Sequence, residues 1–244
     1  MKLTCVGTGD AFGSGGRLNS CFHLQTDEQQ LLIDCGSSSL IGLERCGIPL
    51  DEVDTVVISH LHGDHFGGIP YLFLEGKYLS QRTRPLSLIG PAGLKKRVET
   101  VANALYPGLS ANNLDFPVNY QTLEDGKKFW IHDLQILPVA VKHGGSKYAY
   151  GFRLESGGKT IAYSGDTEWT DALISLARNS DLLVAECFTH SQSLPGHLNY
   201  RTLIRERERL GCQHLVLTHL GPEMLAQRDT LRFDVVSDGD ILEV

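Results

Sequence analysis

The chain has 244 residues, of which 41% are apolar and 21% charged, and its net charge is −7 at pH 7. This length fits one large globular domain, and we expect a single domain over residues 1–244. The acidic balance argues against a general nucleic-acid-binding surface and against a large RNA partner, since the longest basic run is Lys95-Lys96-Arg97. No segment approaches the ~18 apolar residues of a membrane span, and the early apolar stretch ends too soon for a signal peptide. We therefore expect a cytoplasmic protein with no membrane partner.

Apolar runs and turn residues predict the elements in chain order. The predicted strands cover residues 3–6, 20–24, 31–34, 53–59, 85–90, two segments within 129–141, 148–154, 160–163, 182–185 and 214–217. The predicted helices cover residues 37–45, 66–79, 91–105, 171–177 and 200–210. Strands dominate at first and then mix with helices. This order favours an α+β fold in which two packed sheets carry helices outside.

Six cysteines are present, and none forms a C-x-x-C pair. Most of them lie in apolar runs. In a reduced cytosol this distribution favours buried free thiols over disulfides or a cysteine-rich zinc site.

One turn concentrates residue types that bind metal ions. The segment Ser59-His60-Leu61-His62-Gly63-Asp64-His65 follows an apolar, β-branched run and precedes a predicted helix. Imidazole nitrogen and carboxylate oxygen are ligands that zinc and related divalent ions accept. Gly63 permits a tight turn. Four such groups within six residues suit two ions better than one, so the segment predicts a dinuclear metal site.

A dinuclear site needs further ligands, which we expect where loops follow strands. Three candidates close apolar runs downstream: His143 before Gly144-Gly145, Asp166 in Tyr-Ser-Gly-Asp-Thr, and His219 in Leu-Thr-His-Leu-Gly-Pro. Because each follows a predicted strand, all three can project from one rim of a sheet sandwich.

These motifs, taken together, resemble the metallo-β-lactamase superfamily over residues 3 to about 222. The resemblance implies a four-layer αββα sandwich of two mixed β-sheets flanked by helices. It implies that His60, His62 and His143 bind a first metal ion. It also implies that Asp64, His65 and His219 bind a second ion and that Asp166 bridges the two. Zinc is the expected metal, although Mn2+ or Fe2+ would accept the same ligands. Such a pair can hold a bridging hydroxide, which Asp64 can help to position.

Two further regions resemble the ribonuclease Z-like and cyclic-phosphate phosphodiesterase branch. One is the glycine-rich opening at residues 7–21, and the other joins Ala185-Glu186-Cys187 to Gly196-His197-Leu198-Asn199. Members of that branch carry an acidic residue and a non-ligand catalytic histidine in the second region. Phosphodiester cleavage must protonate a poor alkoxide leaving group, and an imidazole of pKa ~6.5 can do so. We therefore expect His197 to act as the general acid and Glu186 to orient and charge it.

The favoured function is a phosphodiesterase for a small or nucleotide-type ester, in a branch where homodimers are common. A transfer RNA 3′-end endonuclease is disfavoured, because residues 66–142 contain no Gly/Pro-rich basic arm. The chain also lacks the amino-terminal cysteine cluster of the cyclic-phosphate phosphodiesterase that it resembles. Two alternatives stay open: hydrolysis of a lactone, thioester or β-lactam, and a non-catalytic metal-bearing accessory role. An oxygen-reducing di-iron role fits less well, since that branch has an acidic residue where this chain has His62.

The remaining polar candidates have weaker signals. Four histidines without a ligand-like neighbour are expected in structural or surface roles: His23, His132, His190 and His214. Among these, His190 is best placed to touch substrate, because it shares a loop with His197. Three rim residues could contact a phosphate, although isolated loop residues of this kind are usually only solvated: Arg17, Ser146 and Lys147.

Overall fold

The computed structural model describes residues 1–146 and 148–244, and these residues form two seven-stranded β-sheets. The first sheet contains β1 (Lys2–Gly7), β2 (Cys21–Gln25), β3 (Gln30–Ile33), β4 (Thr55–Val57), β5 (Leu86–Gly90), β6 (Val118–Thr122) and β14 (Ile241–Glu243). The second contains β7 (Phe129–Ile131), β8 (Leu134–Ala140), β9 (Tyr150–Ser156), β10 (Lys159–Tyr163), β11 (Leu182–Glu186), β12 (His214–Thr218) and β13 (Asp234–Val235). Their strand orders are β14-β1-β2-β3-β4-β5-β6 and β13-β12-β11-β10-β9-β8-β7.

Helices cover the outer faces of the sandwich. They are α1 (Ser39–Arg45), α2 (Gly63–Phe66), α3 (Ile69–Tyr78), α4 (Leu94–Leu105), α5 (Ala172–Ala177), α6 (Tyr200–Leu210) and α7 (Pro222–Ala226). Side chains of α1, α3 and α4 pack on the first sheet, and those of α5, α6 and α7 pack on the second. Within the described ranges, every helix is too short or too polar to cross a lipid bilayer.

Alternate side chains of each central strand enter different apolar layers. In β4, Val57 joins the core between the sheets while Val56 faces the helices. In β11, Val184 joins the core between the sheets while Leu183 faces the helices. Successive residues of a strand point to opposite faces, and both faces of these sheets are covered. This explains why the central strands read as unbroken apolar runs, and it confirms the predicted sandwich with outer helices.

The parallel parts of the two sheets end at one shared rim. Strands β3 to β6 pair in parallel in the first sheet, as do β10 to β13 in the second. Beyond β4, the backbone carbonyl of Ser59 accepts a 3.0 Å hydrogen bond from the Tyr150 amide at the start of β9. The loops that leave these strand ends therefore meet across the top of the sandwich.

The predicted helix over residues 66–79 is present as α3, although α3 begins three residues later than predicted. Gly67 and Gly68 separate α2 from α3, and the Gly68 amide donates to the Cys35 carbonyl at 2.8 Å. A side chain at Gly68 would lie 2.4 Å from the Gly36 carbonyl oxygen. Close approach of the two backbones thus breaks the helix. The break leaves α2 as a single turn that carries Asp64 and His65 of the metal-binding motif.

The six cysteines are all free thiols, as predicted, and all but Cys46 are buried. Burial raises the pKa of Cys5 and of Cys35 to about 12 in each case. The neutral thiol is therefore the stable form at both positions.

Candidate metal centre

The side chains of the motif after β4 converge because strand, turn and helix follow one another within the twelve residues 55–66. His60 and His62 lie on the turn, whereas Asp64 and His65 lie on α2. His60 and His65 are fully buried, and His62 reaches the surface. The three downstream candidates enter the same space from the second sheet: His143 follows β8, Asp166 follows β10, and His219 follows β12.

The seven candidate ligands form two groups of potential donor atoms. His60, His62 and His143 make one group, and the donor atoms within it all lie within 4.8 Å of one another. The second group meets the same limit and contains Asp64, His65, Asp166 and His219. The structure therefore brings together every ligand candidate chosen from the sequence.

Asp166 lies between the two groups. Its Oδ2 is 3.3 Å from His65 Nε2 and 3.4 Å from His219 Nε2 in one group. In the other group, the same oxygen is 3.9 Å from the Nε2 atoms of both His60 and His143. One carboxylate oxygen thus faces both groups, which is the position that a bridging ligand requires.

Several buried polar atoms of the cluster have no hydrogen-bond partner among the described residues. They are His60 Nε2, His65 Nε2, Asp166 Oδ1 and His219 Nδ1. Burying polar atoms without partners is costly, and a coordinated cation removes that cost. The donor set of imidazole nitrogens and carboxylate oxygens also suits zinc, manganese or iron. The residues present therefore fit divalent metal ions.

Outer hydrogen bonds orient three of the imidazoles. His65 Nδ1 donates to Asp34 Oδ2 at 2.7 Å, and His143 Nδ1 donates to the Gly196 carbonyl at 2.7 Å. Ser59 Oγ donates its hydrogen to Asp34, so it accepts from His60 Nδ1 at 3.1 Å. Each ring consequently carries its hydrogen on Nδ1 and turns its Nε2 lone pair toward the cluster, where Nε2 of His143 lies 2.9 Å from His62 Nδ1.

Asp34 was missed by the sequence analysis. It is fully buried after β3 and accepts hydrogen bonds from the Ser59 amide, the Ser59 hydroxyl, His65 and the Tyr163 hydroxyl, at 2.7–2.8 Å. A usable signal existed, because Asp34 closes an apolar run just as Asp166 does. The structure makes it a positioning residue for His65.

The predicted pair of Glu186 and His197 also comes together at this rim. Glu186 ends β11 and is 1% exposed, and its Oε1 accepts from the Thr167 amide at 2.7 Å and from His197 Nδ1 at 3.1 Å. The His197 side chain is 23% exposed, so solvent can reach it. Its ring lies parallel to that of His219 at a centroid distance of 5.7 Å. His197 therefore lies at the open side of the ligand cluster, where its Nδ1 is 4.0 Å from Asp166 Oδ2 and it forms further possible metal-binding groups with His143 and Asp166 and with Glu186 and His219.

Neighbouring charges set the protonation of this rim. Burial alone would lower the pKa of His197, but its hydrogen bond to Glu186 and the charge of Glu186 raise it above the ordinary value. Burial would raise the pKa of Asp64, but hydrogen bonds from His219 and His65 lower it far below the usual range. The site thus combines an imidazole biased toward its charged form with a carboxylate that stays ionised.

The remaining polar candidates lie outside the two ligand groups. His190 stacks on Tyr200 at 5.4 Å, and the Arg17 guanidinium donates to the Val236 carbonyl at 2.7 Å. His23 Nε2 lies 3.0 Å from the Gln30 side-chain oxygen, and His214 pairs with Asp234 at 2.9 Å. His132 occupies a turn with a φ of 50°. Ser146 lines a cavity beside His62, and Lys147 lies outside the described residues.

Comparison with known proteins identifies the family. The family described as "Anti-Pycsar protein Apyc1" matches residues 1–240. The chain belongs to this family. Among curated relatives, ribonuclease Z from Macrococcus caseolyticus (strain JCSC5402) is 25% identical to this chain. The alignment covers 77% of this chain and 76% of the relative. The probable metallo-hydrolase YhfI from Bacillus subtilis (strain 168) is 27% identical, and the alignment covers 90% of this chain and 87% of YhfI.

Solved structures agree on the fold. The metallo-β-lactamase fold protein YhfI from Bacillus subtilis superposes with a TM-score of 0.78 at 23% identity, covering 99% of each chain. A diphosphatase from the PhnP family superposes with a TM-score of 0.80 at 21% identity, covering 100% of this chain and 97% of that one. The predicted superfamily and its ribonuclease Z-like branch are confirmed, and the chain is a metallo-hydrolase.

Proposed function

We propose that the chain is a dinuclear phosphodiesterase that cleaves a small or nucleotide-type phosphodiester. The observation that carries this proposal is the Glu186–His197 pair. The His197 imidazole lies outside the two ligand sets proposed for the metal ions and hydrogen-bonds a buried carboxylate through Nδ1. A phosphodiester needs such a proton donor, because its leaving group is a poor alkoxide. The relative named ribonuclease Z supports the same class of bond.

The seven clustered residues divide into proposed ligand sets. His60, His62 and His143 would hold one divalent ion, whereas Asp64, His65 and His219 would hold a second. Asp166 would contribute to both through the oxygen that faces both groups. Two bound ions supply Lewis-acid polarisation of the phosphoryl group and an acidified water.

The chain's own groups then act on the substrate. Glu186 holds His197 Nδ1, so the opposite nitrogen, Nε2, can donate its proton to the departing alkoxide oxygen. The low pKa of Asp64 keeps its carboxylate ionised, so it can accept a hydrogen bond from the attacking water. The ring of Phe188 covers His197 at a centroid distance of 5.1 Å, which limits solvent access on that side.

The test uses leaving groups of different quality with protein shown to hold two metal ions. A dinucleoside phosphodiester expels an alkoxide, whereas bis(p-nitrophenyl) phosphate expels a stable phenolate. We expect His197→Ala to lower kcat/KM for the dinucleotide by ~10²-fold or more and to affect the aryl ester much less, since general-acid catalysis matters most for poor leaving groups.

His190→Ala is the matched control, because His190 lies in the same loop but stacks on Tyr200. Its rates should stay within about twofold of the wild-type rates for both esters, as expected for a residue outside the reaction. Failure of the dimetal wild-type protein to turn over either ester would refute the proposed function. Lactones and thioesters would then be the next substrates to test.

A further inference from the structure

The loop that carries His197 joins β11 to α6, and residues 191–198 of it form neither helix nor strand. Residues 191–193 are exposed, whereas Gly196 is buried. Surface loops are more mobile than the elements that they connect. A proton donor must stay within hydrogen-bond reach of the atom that it protonates. The contacts that fix this loop therefore decide whether His197 is held in place.

The backbone of Gly196 is held from two sides. Its amide donates a 2.9 Å hydrogen bond to Glu168 Oε1, and its carbonyl accepts a 2.7 Å hydrogen bond from His143 Nδ1. A Cβ at Gly196 would lie 2.8 Å from the Gly144 amide nitrogen, so the loop packs directly against the backbone that follows His143. Because His197 is the next residue after Gly196, these contacts set the position of its backbone.

Glu168 is itself anchored to the loop that follows β8. Its amide donates to the Lys142 carbonyl at 2.7 Å, and its Oε2 pairs with Lys142 Nζ at 2.8 Å. The Lys142 side chain is 67% exposed, and an exposed ion pair of this kind contributes little to stability. A hydrogen bond from a buried amide to a carboxylate contributes more. The bond to the Gly196 amide is therefore the contact through which the Glu168 carboxylate acts.

We infer that Glu168 is a positioning residue for His197, because it fixes the Gly196 amide and with it the loop from which the imidazole projects. The inference rests on the proposed function, in which His197 protonates the leaving group. Glu186 orients the ring of His197 through Nδ1, whereas Glu168 sets the position of the backbone. Glu168 belongs to neither of the two ligand groups. Its loss should therefore weaken proton transfer while both ligand groups stay intact.

The test measures kcat of the metal-loaded protein with the dinucleoside phosphodiester and with bis(p-nitrophenyl) phosphate. We expect Glu168→Ala to lower kcat for the dinucleotide about tenfold or more and kcat for the aryl ester less than about threefold, because the alkoxide depends far more on a proton donor. Glu168→Gln keeps an oxygen that accepts from the Gly196 amide. It should therefore restore kcat for the dinucleotide to within about threefold of wild type.

Glu155→Ala is the matched control. Glu155 also pairs with a basic side chain, Arg153, at 2.6 Å. It lies near the end of β9, whereas Tyr150 at the start of β9 bonds Ser59 at the shared rim. Its kcat values for both esters should stay within about twofold of the wild-type values.

Amide hydrogen exchange at Gly196, followed by NMR in the metal-free protein, gives a readout that is independent of turnover. The Gly196 amide should exchange at least about tenfold faster in Glu168→Ala than in wild type, because it loses its acceptor. In Glu168→Gln and in Glu155→Ala the exchange rate should stay within about threefold of wild type.

An unchanged dinucleotide rate or an unchanged Gly196 exchange rate in Glu168→Ala would overturn the inference. An equal loss with both esters would also overturn it, since that result indicates general damage to the site rather than a displaced proton donor. Failure of the wild-type protein with two bound ions to turn over either ester refutes the proposed function, and the inference falls with it. The two failures are distinguishable, because the first appears in variants of an active protein and the second in the wild-type protein.

Discussion

Replacing Asp34 by Asn should disable one proposed metal ligand that the substitution does not touch. Asp34 Oδ2 accepts the hydrogen of His65 Nδ1 at 2.7 Å, which leaves His65 Nε2 free to face Asp166. Asn has the same shape but presents an NH2 group in place of one oxygen. If the remaining oxygen stays with the Ser59 amide, the NH2 group faces His65 Nδ1. The imidazole must then move its hydrogen to Nε2, which can no longer bind a metal ion.

The magnitude follows from the contacts that change. Loss of an outer-shell partner typically lowers metal affinity by about 10–100-fold, and here the loss should fall on the ion bound by Asp64, His65 and His219. Four hydrogen bonds end on the buried Asp34 carboxylate, and the amide can accept only some of them. Unsatisfied buried groups cost about 1–3 kcal/mol, so metal-free Asp34→Asn should unfold more readily by that amount.

Metal titration against a chromophoric chelator, with thermal unfolding of the metal-free protein, measures both effects. Tyr163→Phe is the matched control. It removes one hydrogen bond to the same Asp34 oxygen but leaves the bond from His65 intact. We expect it to cost about 1 kcal/mol of stability and to change metal affinity less than about threefold. Two ions bound to Asp34→Asn with wild-type affinity would refute the tautomer argument.

Two further predictions concern the neighbours of His197 and His143. Glu186→Gln removes the charge that raises the pKa of His197, so the loss of phosphodiesterase activity with rising pH should begin at a lower pH than in wild type. An unmoved pH profile would leave Glu186 with a structural role only. Gly196→Ala places a Cβ about 3.0 Å from His143 Nδ1 and should lower metal affinity roughly tenfold or more. Gly211→Ala has a similar positive φ but open space around it, and should leave metal binding unchanged.

The ligand cluster could be predicted from the sequence because histidine and aspartate are the residue types that bind these metal ions. Few histidines occur in the chain, and those that follow apolar runs sit at strand ends. His143 and His219 were found in this way although they lie 76 residues apart. The rule works because a strand fixes where the chain leaves the sheet, so residues one to three positions beyond a strand end, such as His219 and His143, lie at the rim.

The partners of these ligands were not predictable by the same rule. Asp34 bonds Tyr163 across 129 positions, and His143 bonds the Gly196 carbonyl across 53. Backbone carbonyls carry no residue-specific signal, and contacts between sheets depend on the final packing. Strand β6 was also missed, because it pairs only with β5 and its Val-Asn-Tyr-Gln-Thr sequence is half polar. An edge strand of this kind lacks the apolar run that identified the central strands.

The proposed ligands are supplied by both sheets, and this has a consequence for unfolding. His60, His62, Asp64 and His65 follow β4 of the first sheet, whereas His143, Asp166 and His219 follow strands of the second. Bound ions would act as a clamp across the two halves, since neither half alone holds a complete ligand set. Separating the sheets and releasing the metal should then be the same event. Metal binding would therefore stabilise the sandwich against separation of its sheets. Chelation should lower the stability of the whole protein rather than that of a single loop.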